Sequence, residues 1–462
     1  MITEIRQPKR PWMSITLGML VFGVASCSNG TVSDNTAAEQ GNNTTNTTTT
    51  NTTNSAESDS NQVAVNQQQT PTTSQQTNAD TRQNGQNINT TGSASQQQKP
   101  AFTQKAIATF DEPWAMCALP QSQGKAQRLL VTEKGGALFV VDTQTGVKNR
   151  IQGVPKVAYG GQGGFGDVAL APDFAKTQDI YLSYVEETAN KYGAVVIKAS
   201  IKDLDTTSPK LINQQRIWQQ VPKVSGQGHF SHRLLFSPDG QYLYISSGER
   251  QKKTPAQDMS VNLGKILRLN PDGSVPEDNP FTDTTSDDSA SSSERVTAQI
   301  WSLGHRNVLG MQFDDTGRLW ANEMGPRGGD ELNLIKKGNN YGWPVVSNGR
   351  NYSGIDIPDH DTRPDFTPPH VSWTPVISPA SMTFYNSGNQ QDFPAWQGNM
   401  LISGLSSKSL VVISLPTDSS SQAKERYRYN MGERMRSVLA VNGAVWVLED
   451  GNEGRLLQLV PK

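Results

Sequence analysis

The chain is 462 residues long with a formal net charge of −2, which argues against a general nucleic-acid binder. Its two cysteines, Cys27 and Cys117, exclude a cysteine-based metal site. The hydrophobic fraction of 34% is diluted by one polar tract, and residues 101–462 are ample for a single large domain with its own core.

Arg6, Lys9 and Arg10 precede an apolar stretch from Trp12 to Ala25 that is too short to span a bilayer comfortably as a helix. It ends in "VASC", small residues directly before Cys27, as in a bacterial lipoprotein signal whose cysteine thiol takes the diacylglycerol. Residues 1–26 therefore read as a lipoprotein signal peptide, the alternative being an uncleaved signal anchor. Ser28, rather than Asp, follows the cysteine and favours outer-membrane retention in a cell with two membranes. The expectation is an exported chain anchored to the membrane through Cys27 and facing the periplasm. With Cys27 acylated, Cys117 has no disulfide partner and reads as a small buried apolar residue. Residues 27–100 are almost wholly Asn, Thr, Gln, Ser and Ala, too poor in apolar surface to offset the entropy of ordering, and read as a disordered linker.

From residue 101 one pattern recurs: a short alternating apolar run, a Gly/Asp/Asn turn, and a second run. "RLLVTEKGGALFVVD", "RLLFSPDGQYLYISSGE", "GMQFDDTGRLWANEMG" and "SVLAVNGAVWVLED" fit it, and "DVALAPDF…DIYLSYVE" and "GNMLISGLSSKSLVVISL" are looser versions. Asp and Asn favour the tight turns and Gly tolerates positive φ. Hairpins returning roughly every 40 to 60 residues predict an all-β fold, a β-propeller with six blades preferred over five or seven. Loops from every blade then converge on one face, where distant residues can build one site.

Four polar clusters interrupt this pattern: "GGQGGFGDVALAPDF", "GQGHFSHR", "LGHRN" with "EMGPRGGDELN", and "ERMRSV". Arg233, Arg306, Arg434 and Arg436 flank apolar strands in glycine-rich surroundings, and a planar fork of donors suits carboxylates. His229 lies in a small-residue loop just before a strand, where it is either an ordinary loop residue or a base at the mouth of a site.

The stretch from "PWAM" to the end, with "VTEKGG", "LGKILRLNPDGSVPEDNPF", "IWSLGHRNVLGMQF", "GPRGGDELN", "NYGWP", "NYSG" and "ERMRSVLAVNG" in order, resembles the soluble PQQ-dependent aldose sugar dehydrogenases of the glucose/sorbosone dehydrogenase family. The resemblance implies a six-bladed propeller that binds PQQ and Ca2+ in the loops of one face, oxidises aldoses at the anomeric carbon to lactones, and passes the electrons to an external acceptor. It implies His229 as general base and Gln162 as a PQQ contact, with Arg306 and Asn307 against the quinone. Arg434 and Arg436 fall where the family binds the cofactor's carboxylates, and Tyr352 falls near a cofactor-contacting segment. The carbonyls of Gly325 and Pro326 match the cofactor-linked calcium; Glu331 and the carbonyl of Tyr341 match a structural calcium.

These residue types suit that chemistry. A flat tricarboxylate asks for arginines, calcium for oxygen donors, and removal of a hydroxyl proton for a histidine titrating near neutrality. A cation at the quinone oxygen, Arg306, stabilises charge developing there.

Two departures stand out. Many relatives have two glycines where this chain has Ser231 and His232, and His232 reads as a pocket wall or as a support just behind it. The lysine some relatives present is Ser406 here, and strand alternation lets Lys408 replace it on the same face. His305 reads as structural, and His360 and His370 lie in a Pro/Asp-rich loop with no claim on function. The competing readings are a calcium-dependent propeller lactonase, which needs a central metal held by acidic side chains, and a non-catalytic propeller binding a glycan or protein.

Overall fold

The computed structural model describes residues 100–462 apart from 122, 283–290, 387, 389–391 and 419–420. The leader, Cys27 and almost all of the linker lie outside the described residues.

Six four-stranded antiparallel sheets form a six-bladed β-propeller. The innermost strands of blades 1 to 6 are Pro113–Ala118, Phe165–Leu170, Ser231–Phe236, Val308–Phe313, Pro379–Tyr385 and Met435–Val441. Each contacts the next around the ring, and the sixth contacts the first. The six hairpin strings of the sequence fall one in each blade.

Antiparallel sheets that are apolar on both faces must be covered on both, and here neighbouring blades cover one another. Six main core clusters occupy the six gaps between adjacent blades, from Leu130, Leu138, Phe165 and Leu182 between blades 1 and 2 to Met116, Val131, Leu448 and Leu456 between blades 6 and 1. Cys117 packs against the first of these, and burial raises its thiol pKa. The ring closes where the first strand, Phe102–Phe110, pairs with Gly454–Pro461 as the outer edge of blade 6. Phe102 locks that seam, with its ring 5.4 to 6.2 Å from Phe393, Trp396 and Tyr429.

One irregularity recurs in every blade. Each innermost strand shifts register against its neighbour within its first few residues, at Pro113/Ala115, Phe165/Val168, Ser231/Leu234, Val308/Gly310, Pro379/Met382 and Met435/Ser437. A bulge frees residues from the ladder and re-aims their side chains, so all six strands release side chains at the same end of the ring.

Candidate active site

At that end a cavity of about 370 Å³ lies on the propeller axis. All six blades contribute to it, among them Trp114 and Lys134 of blade 1, Gln162 before blade 2, His232 of blade 3, Asn307 before blade 4, Ser378 before blade 5 and Arg436 of blade 6.

The entry to blade 3 is its most constrained part. His229, Ser231 and His232 have φ of 48°, 58° and 55°, a left-handed backbone costing about 1–3 kcal/mol per non-glycine residue. The Gln162 amide oxygen accepts the His229 backbone N–H at 2.7 Å, and the Gln162 N–H is donated to the Gln227 carbonyl at 2.8 Å. A Cβ on Gly248 would lie 2.0 Å from the His229 carbonyl, so only glycine allows that approach. The His229 ring meets the Glu249 carboxylate through Nδ1 at 2.5 Å, and the other Glu249 oxygen accepts the Lys253 N–H. Next in sequence, the buried Arg250 lies over the Phe230 ring at 3.7 Å and donates to the carbonyls of Gly228 at 2.9 Å and Gly226 at 2.5 Å. Glu249 thus orients the ring, and Arg250 holds the loop that carries it.

Burial, with the charges of Arg306 and Arg250, outweighs Glu249 and holds the His229 imidazole below its ordinary pKa. Burial works to raise the Glu249 carboxyl, but the bonds from His229 and Lys253 and the charge of Arg306 leave it below its usual value. The pair at neutral pH is therefore a carboxylate and a neutral imidazole. With Nδ1–H given to Glu249, Nε2 carries the lone pair. His229 is not itself a lining residue; its partner Gln162 and neighbours Phe230 and Ser231 are, and its side chain retains 8% exposure.

His232 is a wall of the cavity, as expected. Its ring stacks on Trp114 at 5.0 Å and 19°, and Nδ1 meets Ser183 Oγ at 2.8 Å. A Cβ on Gly166 would lie 2.0 Å from this ring, so glycine at 166 makes room for histidine at 232. Burial first, then Arg233 and Arg250, push its pKa down to about 3. Arg233, unlike Arg434 and Arg436, does not line the cavity. It is buried beneath the cavity, over Trp114 at 4.0 Å, bonded to the Leu309 carbonyl at 2.6 Å and to Asp167 at 3.3 Å.

Arg434 and Arg436 line the cavity and share Asp450, with Nε–carboxylate distances of 2.8 Å each. Burial works to raise the Asp450 carboxyl, but the two arginines leave it below its ordinary value. Two guanidiniums on one carboxylate leave one net positive charge and free N–H groups. Lys134 beside them meets Glu112 at 3.0 Å.

Arg306 donates to the Met324 carbonyl at 2.9 Å and to the Tyr352 hydroxyl at 3.4 Å, while its buried Nε has no partner among the described residues. Asn307 accepts Ser231 Oγ at 3.1 Å. Tyr352 is 74% exposed and covers Arg306 only through its hydroxyl. Lys408 is outside this group. Residues 405–408 form a turn rather than a strand, so alternation does not govern them; Lys408 has a φ of 49°, is not a lining residue, and its amine lies 3.4 Å from Glu433.

Below Arg306, a gap of about 10 Å³ is bordered by Glu323, Gly325, Glu331 and Tyr341. Asn333 Nδ2 donates to both carboxylates, at 3.2 Å to Glu323 and 3.1 Å to Glu331, and its own Oδ1 is buried without a partner among the described residues. The carbonyls of Gly325, Pro326 and Tyr341 accept no backbone hydrogen bond among the described residues. His305 is structural: its ring stacks on Tyr341 at 4.8 Å and bridges Glu323 and Ser302 at 2.9 Å each.

Sequence reasoning missed Glu249, Arg250 and Asp450, though hairpin register exposes the two acids. Ser231 pairs with Ser247, and two residues further out His229 faces Glu249. Likewise Met435 pairs with Glu449, so Arg434 faces Asp450, and Pro113 pairs with Glu133, so Glu112 faces Lys134.

A family model described as "Glucose / Sorbosone dehydrogenase" matches residues 110–458. The chain belongs to the glucose/sorbosone dehydrogenase family. It is 37% identical over 358 residues to aldose sugar dehydrogenase YliI of Escherichia coli K12, covering 76% of this chain and 91% of that protein. The apo-form crystal structure of the soluble aldose sugar dehydrogenase from Escherichia coli superposes with a TM-score of 0.68 at 36% identity, covering 78% of this chain and all of that one. The PQQ-bound aldose sugar dehydrogenase from Streptomyces coelicolor gives a TM-score of 0.61 at 28% identity, covering 79% and 99%. Members of the glucose/sorbosone dehydrogenase family named in these comparisons are oxidoreductases, and the cavity just described is the candidate site for that chemistry in this chain.

Proposed function

We propose that the chain is a PQQ-dependent aldose sugar dehydrogenase in which His229 removes the anomeric hydroxyl proton. The observation that carries this reading is the Glu249–His229 pair: a neutral imidazole oriented by a buried carboxylate at 2.5 Å, beside an axial cavity with arginines on its wall. The residues fit PQQ. Arg434, Arg436 and Lys134 offer charge-assisted donors to a tricarboxylate, and the stacked Trp114 and His232 rings give a flat wall. When bound, PQQ supplies the hydride acceptor. The chain's own part is then to hold that acceptor by its carboxylates, to receive a proton at His229 Nε2, and to stabilise the resulting imidazolium through Glu249. Arg306, whose Nε has no partner among the described residues, lines the lower gap rather than the axial cavity and supplies a fixed positive charge felt by His229.

The lower gap fits calcium in donor type. Glu331, with the carbonyls of Gly325, Pro326 and Tyr341, would hold it through hard oxygens. A lactonase would require acidic side chains free to hold a metal on the axis; the acids lining this cavity, Glu112 and Asp450, are instead paired with Lys134 and with Arg434 and Arg436.

Adding PQQ and Ca2+ to purified apo-protein should give dye reduction with one or more of a panel of aldoses. His229→Gln should still bind PQQ but lose turnover by about 10²–10⁴-fold; parental turnover at saturating PQQ would remove His229 from the reaction. We further propose that the enzyme is exported and lipid-anchored at Cys27, on the strength of "VASC" behind a short basic-apolar leader. Fatty-acid labelling should mark the parent and not Cys27→Ala.

A further inference from the structure

His360 departs from the expectation that its loop carries nothing of functional interest. It is only 5% exposed, and neither ring nitrogen has a hydrogen-bond partner among the described residues. A buried imidazole without partners on either side is costly, at about 1–3 kcal/mol for each unsatisfied polar group, and asks for an explanation. Its Nε2 lies 3.5 Å from Glu331 Oε1, while Glu331 Oε2 is already held by Asn333. That separation is long for a hydrogen bond. It matches two donor atoms on one small ion: ligands about 2.1 Å from a tetrahedral centre stand about 3.4 Å apart.

We propose that Glu331 and His360 together bind a first-row transition dication of the Zn2+ or Co2+ class, in competition with Ca2+. The proposal rests on reading Glu331 as a metal ligand and extends it, because calcium prefers oxygen donors whereas imidazole favours the borderline transition ions. Among the described residues no three His, Cys, Asp or Glu side chains converge as a metal site. The remaining positions therefore fall to neutral oxygens and water. The Tyr341 carbonyl, of a residue bordering the gap, and the Oδ1 of Asn333, a residue bonded to Glu331 and without an Oδ1 partner among the described residues, are such oxygens.

The test uses the full chain, stripped of divalent ions and free of PQQ, titrated with Co2+ and separately with Ca2+. Binding is read from the cobalt absorption band and from the melting temperature. Co2+ should bind the parent, and His360→Gln should weaken it at least about tenfold, a loss typical of metal-site changes, while the calcium-induced shift in melting temperature persists. Glu331→Gln should lose both responses, and His370→Gln neither. Paramagnetically shifted imidazole resonances in the cobalt-loaded parent would report nitrogen ligation without any substitution. No cobalt band in the parent, no shifted imidazole signals, or equal cobalt affinity in parent and His360→Gln would each overturn the proposal. A parent that binds Co2+ through His360 but ignores Ca2+ would remove the calcium reading alone.

Discussion

Glu249→Gln separates an oriented base from a histidine that merely sits near a cavity. The carboxylate accepts two hydrogen bonds, from His229 Nδ1 at 2.5 Å and from the Lys253 backbone N–H. Glutamine has the same shape but only one acceptor oxygen, so one of those two donors must face an NH2 group. The Lys253 N–H is fixed by the backbone and cannot change its role, whereas imidazole can exchange tautomers. The substituted amide should therefore turn its oxygen to Lys253 and its NH2 to the ring. That forces Nδ1 to accept and moves the proton to Nε2, the atom that receives the sugar's proton in the proposed function. Recovering the reactive tautomer means leaving a buried donor unpaired, at about 1–3 kcal/mol, which alone is roughly a 5- to 150-fold loss in rate. Losing the charge that stabilises the imidazolium brings the expected fall in kcat to about 10²–10⁴-fold. The assay is the saturated rate of dye reduction with PQQ loaded, alongside a PQQ titration that should match the parent. A Glu249→Gln enzyme with parental kcat would refute the reasoning, because no arrangement of glutamine serves both donors.

The remaining expectations concern acid stability, cofactor binding and calcium. His232, with a folded pKa of about 3 against an ordinary value of about 6.5, takes up a proton on unfolding between those values, so its contribution is fully present at neutral pH and is lost as pH falls towards 3. Across that window the parent should lose up to about 1.4 kcal/mol per pH unit more than His232→Gln in denaturant unfolding, and equal slopes would contradict the assignment. Arg434→Ala and Arg436→Ala should weaken PQQ binding first, with activity partly restored at high PQQ, since each removes a donor from the triad around Asp450. PQQ titrations unchanged from the parent would exclude that role. Ca2+ at a hundredfold excess over its Kd should stabilise the parent by about 3 kcal/mol, and a melting temperature indifferent to both chelation and Glu331→Gln would exclude Glu331 as a ligand.

The sequence alone determined the repeating unit and which polar groups each loop carries. Alternation with PDG, DTG and NG turns is a local property of the chain, and each of the six hairpin strings became part of a separate blade. "HFSHR", "LGHRN" and "RMR" carried His229, the Arg306–Asn307 pair and the two arginines for the same reason. Only the tertiary structure decided which of these groups meet. Arg233 and Arg436 look alike in sequence and both lie within a bulge, yet one ends beneath Trp114 and the other on the cavity wall. Lys408 was read by strand alternation and lies in a turn. His360 looked like a bystander until the fold placed it beside Glu331, which lies 29 residues earlier in sequence. Strand pairing and turns are set by neighbours a few residues apart, whereas the bulges that aim side chains inward, and the partners they find, depend on six blades closing into a ring.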